Sequence, residues 1–162
     1  MSPINSDNLL NVGIEACLAA SNVIMDAANL PRVSSNKGKT DLVTETDLLS
    51  EKVIKSTIRS EFDDHSIMAE ESGKELTQSD YLWIIDPLDG TKEFINKNGE
   101  FTVNIALIKN SEPILGIIYS PFLSELYFAQ KDQGAYKINS SQTIQSLENA
   151  VKILSNNKKK SD

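Results

Sequence analysis

Apolar residues near the start of the chain recur at the spacing of a helix. Leu10, Ile14 and Leu18 return every four residues within residues 7–29, and Pro31 follows that stretch. Residues four apart lie on one face of a helix, and proline commonly follows a helix end. The pattern therefore predicts a long helix over residues 7–29.

A second helical pattern follows a polar loop. We predict that it begins near Thr44, because Thr44 and Asp47 have capping-box spacing, which favours Asp47 as a helix-capping side chain. The apolar stripe that follows is expected to face the core. This stripe consists of Leu49, Val53, Ile54, Ile58 and Phe62.

Short apolar runs replace the helical pattern beyond residue 64. In one of them Phe101, Val103 and Ile105 share a face, and the connection at 110–112 is short enough for an antiparallel hairpin. These features predict an α+β fold, with two long helices packed on a mostly antiparallel sheet. The predicted strands lie at 66–69, 81–85, 101–109, 113–120 and 125–129.

Length and composition narrow the class of protein. The chain has 162 residues, with one Cys and one His. This is the size of one ordinary domain, which we expect over residues 1–154, followed by a polar, lysine-containing tail at 155–162. A single Cys excludes an internal disulfide, and a single His argues against a zinc site or a His-based nucleophilic triad.

Charge and hydropathy argue against a protein that binds nucleic acids or anionic membranes and against a transmembrane protein. The formal net charge of −7 disfavours a surface for nucleic acid polymers or anionic membranes. No apolar run reaches the roughly 18 residues of a transmembrane segment, and residues 1–10 have neither a basic lead nor a hydrophobic signal core. We therefore expect a cytoplasmic protein.

The segment WIIDPLDGTKEF at 83–94 carries the candidate chemistry. It places Asp86 and Asp89 three residues apart, around a stiffening proline, directly after a buried-looking strand. Gly90 lets the backbone approach an anion, and Thr91 adds a hydroxyl and an amide at the predicted start of a short helix. Oxygen ligands without His or Cys favour magnesium, manganese or calcium over zinc.

Acids elsewhere in the chain extend this constellation. Glu70 follows an apolar run at a predicted strand end, and Asp47 is a candidate for orienting Thr91 or a water. Each feature also has a purely structural interpretation, because Asp-Pro and Asp-Gly pairs are common in turns and Asp47 has capping spacing. The residues alone leave a metal-phosphate site and a set of structural turns as open alternatives.

Three motifs resemble the inositol monophosphatase-like superfamily of magnesium-dependent phosphatases. They are DLVTETD at 41–47, AEES at 69–72 and WIIDPLDGT at 83–91, and they occur in the order found in that family. The continuation at 92–108 is most similar to the 3'(2'),5'-bisphosphate nucleotidase, or CysQ-like, branch. This resemblance implies a small phosphorylated substrate, adenosine 3',5'-bisphosphate, hydrolysed to AMP and phosphate. Inositol monophosphatase activity is the alternative.

The resemblance also implies a role for individual residues. Asp47 and Thr91 would orient the attacking water, and Gly90 and Thr91 would hold the substrate phosphate through backbone amides. Two or three Mg²⁺ ions would be bound by oxygen atoms of the second and third motifs. Their ligands would be Glu70, Asp86, the Leu88 carbonyl and Asp89.

The resemblance extends to about Ile138. The family's catalytic chain continues into a second domain with a Trp-Asp-x-Ala-Ala-Gly-like motif, whose Asp completes the second metal site, and no such motif occurs here. We therefore expect the family's C-terminal domain to be absent. Self-association, a partner that supplies the missing domain, and an inactive fragment that only binds metal or phosphate are the alternatives.

Overall fold

Two long helices and one extended sheet make up the part of the protein that the structure describes. The computed structural model describes residues 6–29, 39–139 and 149–153. The helices are α1 (Ser6–Asn29), α2 (Lys39–Glu61) and the short α3 (Thr91–Asn96). The strands are β1 (Ser66–Ala69), β2 (Gly73–Glu75), β3 (Tyr81–Asp89), β4 (Thr102–Lys109), β5 (Glu112–Ser120), β6 (Glu125–Gln130), β7 (Gly134–Asn139) and β8 (Val151–Ile153).

The eight described strands form a single sheet. Their order is β2-β1-β3-β4-β5-β6-β7-β8. β1 and β3 are parallel, whereas every other neighbouring pair is antiparallel. The predicted α+β fold, with two long helices on a mostly antiparallel sheet, is therefore confirmed.

One face of the sheet forms the hydrophobic core with α1 and α2. α1 packs on β4 and β5, and α2 packs on β3. Gly13 allows close approach of α1, because a Cβ atom there would lie 2.5 Å from Ile117 Cδ1 and 3.5 Å from the Trp83 ring. Each large apolar side chain buried in this layer stabilises the fold by roughly 1.5–3 kcal/mol. Fully buried examples are Ile24, Ile54, Trp83, Leu107 and Ile117.

The opposite face of the sheet is apolar and open in the described part of the chain. Ile84, Ala106 and Ile118 help to line a shallow depression of about 440 Å³, which also reaches Asp86. Ile118 is 46% exposed, and Ile153 at the β8 edge is 45% exposed. The described helices α1 and α2 thus cover one side of the sheet only.

The α2 helix differs from its prediction in both position and burial. It begins at Lys39, more than one turn before the predicted start at Thr44. Leu49, which was predicted to face the core, is 50% exposed. Among the described side chains of α2, from residue 45 onward, the inward face has acidic residues first and apolar residues after them. Its buried positions include Asp47, Glu51, Ile54 and Ile58.

All five predicted strands are present, and three further strands complete the sheet. The sequence did not predict β2 and β7, which lack an uninterrupted apolar run. The hairpin predicted at 110–112 is confirmed, with Asn110 and Ser111 at φ angles of 49° and 67° in a two-residue turn. The predicted tail at 155–162 lies outside the described residues.

By length and composition, α1 alone among the described helices is apolar enough to cross a membrane. The sequence pattern predicted no such segment. However, 56% of the most apolar window of α1 is buried inside the protein. Because α1 packs against α2, β4 and β5, it is the core helix of this domain.

His65 is buried among aromatic rings immediately before β1. Its ring centroid lies 4.7 Å from that of Phe62 and 4.6 Å from that of Tyr81. Its Nδ1 atom accepts a hydrogen bond of 3.0 Å from Trp83 Nε1, while its Nε2 atom has no partner among the described residues. Burial lowers the pKa of His65 below its usual 6.5, because a buried imidazolium loses its hydration.

We expect the His65 imidazole to titrate below pH 6.5 in the native protein. As the pH falls through 6.5 the unfolded chain binds a proton that the folded chain does not bind. The free energy of unfolding therefore loses up to about 1.4 kcal/mol per pH unit from this group, whose contribution is fully present above pH 6.5. His65 is the single histidine of the chain, so an NMR titration shows one imidazole. A midpoint at or above 6.5 contradicts the prediction.

Candidate active site

The parallel pairing of β1 and β3 brings their carboxyl ends to one edge of the sheet. Glu70 follows β1 directly, and its amide donates to the Ile85 carbonyl of β3 at 3.1 Å. Asp86 is the next residue of β3 and lies opposite Asn104 of β4. Two acids from separate parts of the sequence therefore meet at this edge.

The end of β3 differs from the turn that the sequence predicted there. The strand continues through Asp86 to Asp89, with a shift in its pairing to β4 between these two residues. Pro87 lies in this irregular part, where its missing amide donor interrupts no regular ladder bond. The predicted stiff turn is thus an irregular strand end, and it keeps both aspartates near the same edge.

Asp86 lies in an electrostatically unfavourable position. Burial raises its pKa to about 6, and Glu70 and Asp89 add to the rise, whereas the Asn104 side chain lowers it. Its Oδ1 atom is buried without a hydrogen-bond partner in the described part of the chain. A buried, unpartnered carboxylate oxygen destabilises a protein unless a cation or a donor satisfies it.

Asp47 lies in the third turn of α2, so its predicted helix-capping role is wrong. The residue is 7% exposed. Burial raises its pKa to about 7, and Glu71, Glu70 and Asp86 add to the rise in that order. The helix therefore directs this carboxyl group towards the acids that follow β1 and β3.

The backbone turns from β3 into α3 between Leu88 and Thr91. Gly90 has a φ of 90°, and a Cβ atom there would lie 2.6 Å from the Glu100 carbonyl oxygen, so the position requires glycine. α3 begins at Thr91, as predicted. The Thr91 hydroxyl donates to the Leu88 carbonyl at 3.4 Å, and among the described residues it forms no hydrogen bond with Asp47.

An acidic cluster thus occupies this edge of the sheet, and we define it as Asp47, Glu70, Asp86 and Asp89. In the described ranges, no three Asp, Glu, His or Cys side chains converge closely enough to form a ready-made metal site. The donor set nevertheless fits a hard divalent cation, because its members repel one another and Asp86 Oδ1 is unpartnered. A bound cation would neutralise that repulsion.

Two polar residues beside the acidic cluster were not predicted from the sequence. Glu51 on α2 accepts hydrogen bonds from the backbone amides that follow Glu70. Asn104 faces Asp86 across the β3–β4 pair. The available signals were the four-residue spacing from Asp47 to Glu51 and the presence of a polar Asn inside an apolar strand.

Comparison with known proteins places this fold in the class of the inositol monophosphatases. The sequence profile of the Inositol monophosphatase family matches residues 5–160. The chain therefore belongs to the inositol monophosphatase family, whose members are magnesium-dependent phosphatases.

Individual relatives agree with this assignment. The chain is 40% identical over 136 residues to "Fructose-1,6-bisphosphatase/inositol-1-monophosphatase" of Aquifex aeolicus, covering 82% of this chain and 51% of that protein. It is 39% identical over 130 residues to "Nus factor SuhB" of Escherichia coli, covering 78% and 49%. The structure of CysQ from Bacteroides thetaiotaomicron matches with a TM-score of 0.74 and 34% identity, covering 89% and 57%. The chain spans about half the length of the curated relatives it matches.

Proposed function

We propose that this chain forms the metal- and phosphate-binding half of a magnesium-dependent phosphomonoesterase. The observation that carries the proposal is the acidic cluster, in which like charges raise the pKa values of the buried Asp47 and the half-buried Asp86, and Asp86 Oδ1 has no partner among the described residues. Family membership supports the same chemistry. Magnesium bound here would polarise the phosphate and lower the pKa of a bound water.

The acidic cluster and the neighbouring backbone would together bind the Mg²⁺ ions. Glu70, Asp86, Asp89 and the Leu88 carbonyl are the proposed ligands of two or three Mg²⁺ ions, since carboxylate and carbonyl oxygens suit this cation. The Leu88 carbonyl already accepts from Thr91, and a carbonyl oxygen has a second lone pair available for an ion.

Substrate binding and water orientation would fall to residues at the β3–α3 junction and on α2. The amides of Gly90 and Thr91 are proposed to hold the phosphate, and the missing Cβ of Gly90 allows the tight backbone that presents them. Asp47 and Thr91 are proposed to orient the attacking water. This role requires the Thr91 hydroxyl to turn from Leu88 towards Asp47 when substrate binds.

The proposed substrate is adenosine 3',5'-bisphosphate, which water would hydrolyse to AMP and inorganic phosphate. The resemblance of residues 92–108 to the bisphosphate nucleotidase branch and the structural match to CysQ support this choice. The second candidate is an inositol monophosphate, and the name of the Aquifex aeolicus relative favours it. A cytoplasmic location remains a prediction.

A non-catalytic function is the alternative from a different class. The chain spans about half of its relatives, and the open apolar sheet face lies next to Asp86. If a further polypeptide, or a second copy of the chain, completes the site, this chain alone would bind cation and phosphate without turnover.

Phosphate release from the purified chain tests these alternatives. Adenosine 3',5'-bisphosphate and inositol 1-phosphate are supplied in parallel, with and without Mg²⁺, and Asp86→Asn is the control. We expect Mg²⁺-dependent release from the nucleotide that is absent in Asp86→Asn. Release that persists in this variant contradicts the site assignment, and preferential release from inositol 1-phosphate contradicts the substrate assignment. A folded chain that binds cation and releases nothing identifies the non-catalytic function.

A further inference from the structure

Glu51 lies on the inward face of α2, one turn after Asp47. Its side chain is 4% exposed. Its Oε2 atom accepts from the Glu71 amide at 2.8 Å, and its Oε1 atom accepts from the Ser72 amide at 3.2 Å. Both carboxylate oxygens are thus bonded to the backbone of the turn that directly follows Glu70.

Basic side chains on α2 hold the same turn from its outer side. Lys55 Nζ lies 3.9 Å from Glu51 Oε1 and donates to the Ser72 hydroxyl at 2.9 Å. Lys55 also pairs with Glu75 of β2, as does Arg59 at 3.2 Å. The helix therefore contacts the β1–β2 hairpin at two places, of which only the Glu51 contact is buried and reaches the amides beside Glu70.

We propose that Glu51 is a positioning residue that holds the Glu70 turn against the cation site. The proposal rests on the proposed function. Glu70 and Asp86 are both acidic, so their repulsion pushes the turn away from the end of β3 when no cation is bound. The two amide hydrogen bonds to Glu51 oppose this movement. Because both Glu51 oxygens accept from backbone, Glu51 acts through Glu70 and is not itself a ligand.

Glu51→Gln tests this role with little change in side-chain volume. The amide NH₂ of Gln cannot accept a hydrogen bond, and its remaining oxygen carries no formal charge. The Glu71 and Ser72 amides, which bond to Glu51 through three contacts, therefore share one neutral acceptor in place of two carboxylate oxygens. Glu75→Gln is the matched control, because it removes the outer ion pairs and leaves the contacts of Glu51 with Glu71 and Ser72 intact. The probe is Mn²⁺ without substrate, titrated by calorimetry or electron paramagnetic resonance.

We expect Glu51→Gln to weaken Mn²⁺ binding by about 10–100-fold, which is the usual effect of losing a group that orients a ligand. Glu75→Gln should stay within about twofold of the wild type. The Glu71 and Ser72 amide resonances should shift in Glu51→Gln and not in Glu75→Gln, which ties the loss to this turn. If Glu51→Gln does not fold, Glu51→Asp keeps the charge and withdraws the oxygens by one methylene, and the same loss is expected.

Three outcomes overturn the proposal. Unchanged affinity in Glu51→Gln, although the Glu71 and Ser72 amides have shifted, removes the positioning role and leaves the proposed function standing. An equal loss of Mn²⁺ affinity in Glu75→Gln shows that any weakening of the β1–β2 hairpin lowers affinity, so Glu51 has no specific positioning role. A wild type that binds no Mn²⁺ overturns the proposed metal site and this inference together, whereas Mn²⁺ binding without phosphate release contradicts only the proposed catalytic activity.

Discussion

Replacing Asp86 with asparagine is expected to change cation binding and stability in opposite directions. At pH 8, above the raised pKa values of Asp86 (about 6) and Asp47 (about 7), the cation-free cluster contains repelling carboxylates. Asp86→Asn removes one of them, so the cation-free protein should unfold at a higher urea concentration. The variant also lacks a proposed ligand and should bind Mg²⁺ or Mn²⁺ more than about 100-fold more weakly. Loss of a group that only orients a metal ligand already lowers metal affinity by about 10–100-fold.

The pH dependence of stability follows from the same two groups. Their folded pKa values lie above the ordinary value of 3.8. Between about pH 4 and 7 the folded chain therefore binds protons that the unfolded chain has released. The resulting stabilisation is fully present below the unfolded pKa and is lost as the pH rises through 6 and 7. Asp86→Asn should remove the part of this loss that belongs to Asp86.

Urea unfolding followed by circular dichroism, at pH 8 with a chelator, measures the stability effect, and Mn²⁺ titration measures the affinity effect. Asp132→Asn is a suitable control. Asp132 is an exposed turn residue between β6 and β7 with a φ of 61°, a conformation that asparagine also tolerates. The control should change neither quantity. Wild-type Mn²⁺ affinity in Asp86→Asn, or a lower unfolding midpoint, contradicts the prediction.

Trp83→Ala is expected to cause the largest loss of stability. Trp83 is fully buried on the core face of β3, its ring contacts that of Phe62, and its Nε1 atom donates to His65. Truncating a buried Trp to Ala costs about 3–5 kcal/mol. The total free energy of unfolding of a domain is about 5–15 kcal/mol, so this substitution should remove a large part of it. Trp83→Ala should therefore unfold at a much lower urea concentration than the wild type.

Two further variants separate the parts of the Trp83 effect. Trp83→Phe keeps an aromatic ring and leaves His65 Nδ1 without its donor, so an intermediate loss of about 1–3 kcal/mol is expected. Leu48→Ala, at a half-exposed position of α2, should change stability by less than about 0.5 kcal/mol. Circular dichroism is the readout, because the chain has a single Trp. A loss below about 1 kcal/mol in Trp83→Ala contradicts this account.

The parts of the fold that could be predicted from sequence are those that carry their own repeating pattern. α1 shows a helical apolar period, and the five predicted strands each contain a short apolar run. Leu49 was misplaced because the apolar stripe of α2 was extended towards the N-terminus, where acidic residues occupy the inward face. The strand β2, with the sequence GKE, has no apolar residue at all. It forms because it pairs with the free edge of β1. That edge exists only in the folded sheet, so the local sequence of β2 does not reveal it.

Some residues of the candidate site could likewise be predicted from sequence, whereas others are revealed only by the fold. Glu70, Asp86, Asp89 and Gly90 could be proposed from short motifs, since their neighbours in sequence also shape the backbone around them. Glu51 has no motif, because its partners are amides about 20 residues away in sequence. That contact follows from the packing of α2 against the β1–β2 hairpin. The apolar pattern predicted the inward face of α2 correctly at Ile54 and Ile58 and wrongly at Leu49.

The open sheet face affects how separate copies of the chain behave in solution. Ile118 and Ile153 present apolar surface that attracts other copies, while the net charge of −7 repels them. This repulsion extends only about 8 Å at physiological ionic strength and becomes shorter as salt is added. Attraction between apolar surfaces does not weaken in the same way, and salts such as sulfate strengthen it. Colloidal stability therefore decreases with ionic strength, and dilute buffer favours single copies.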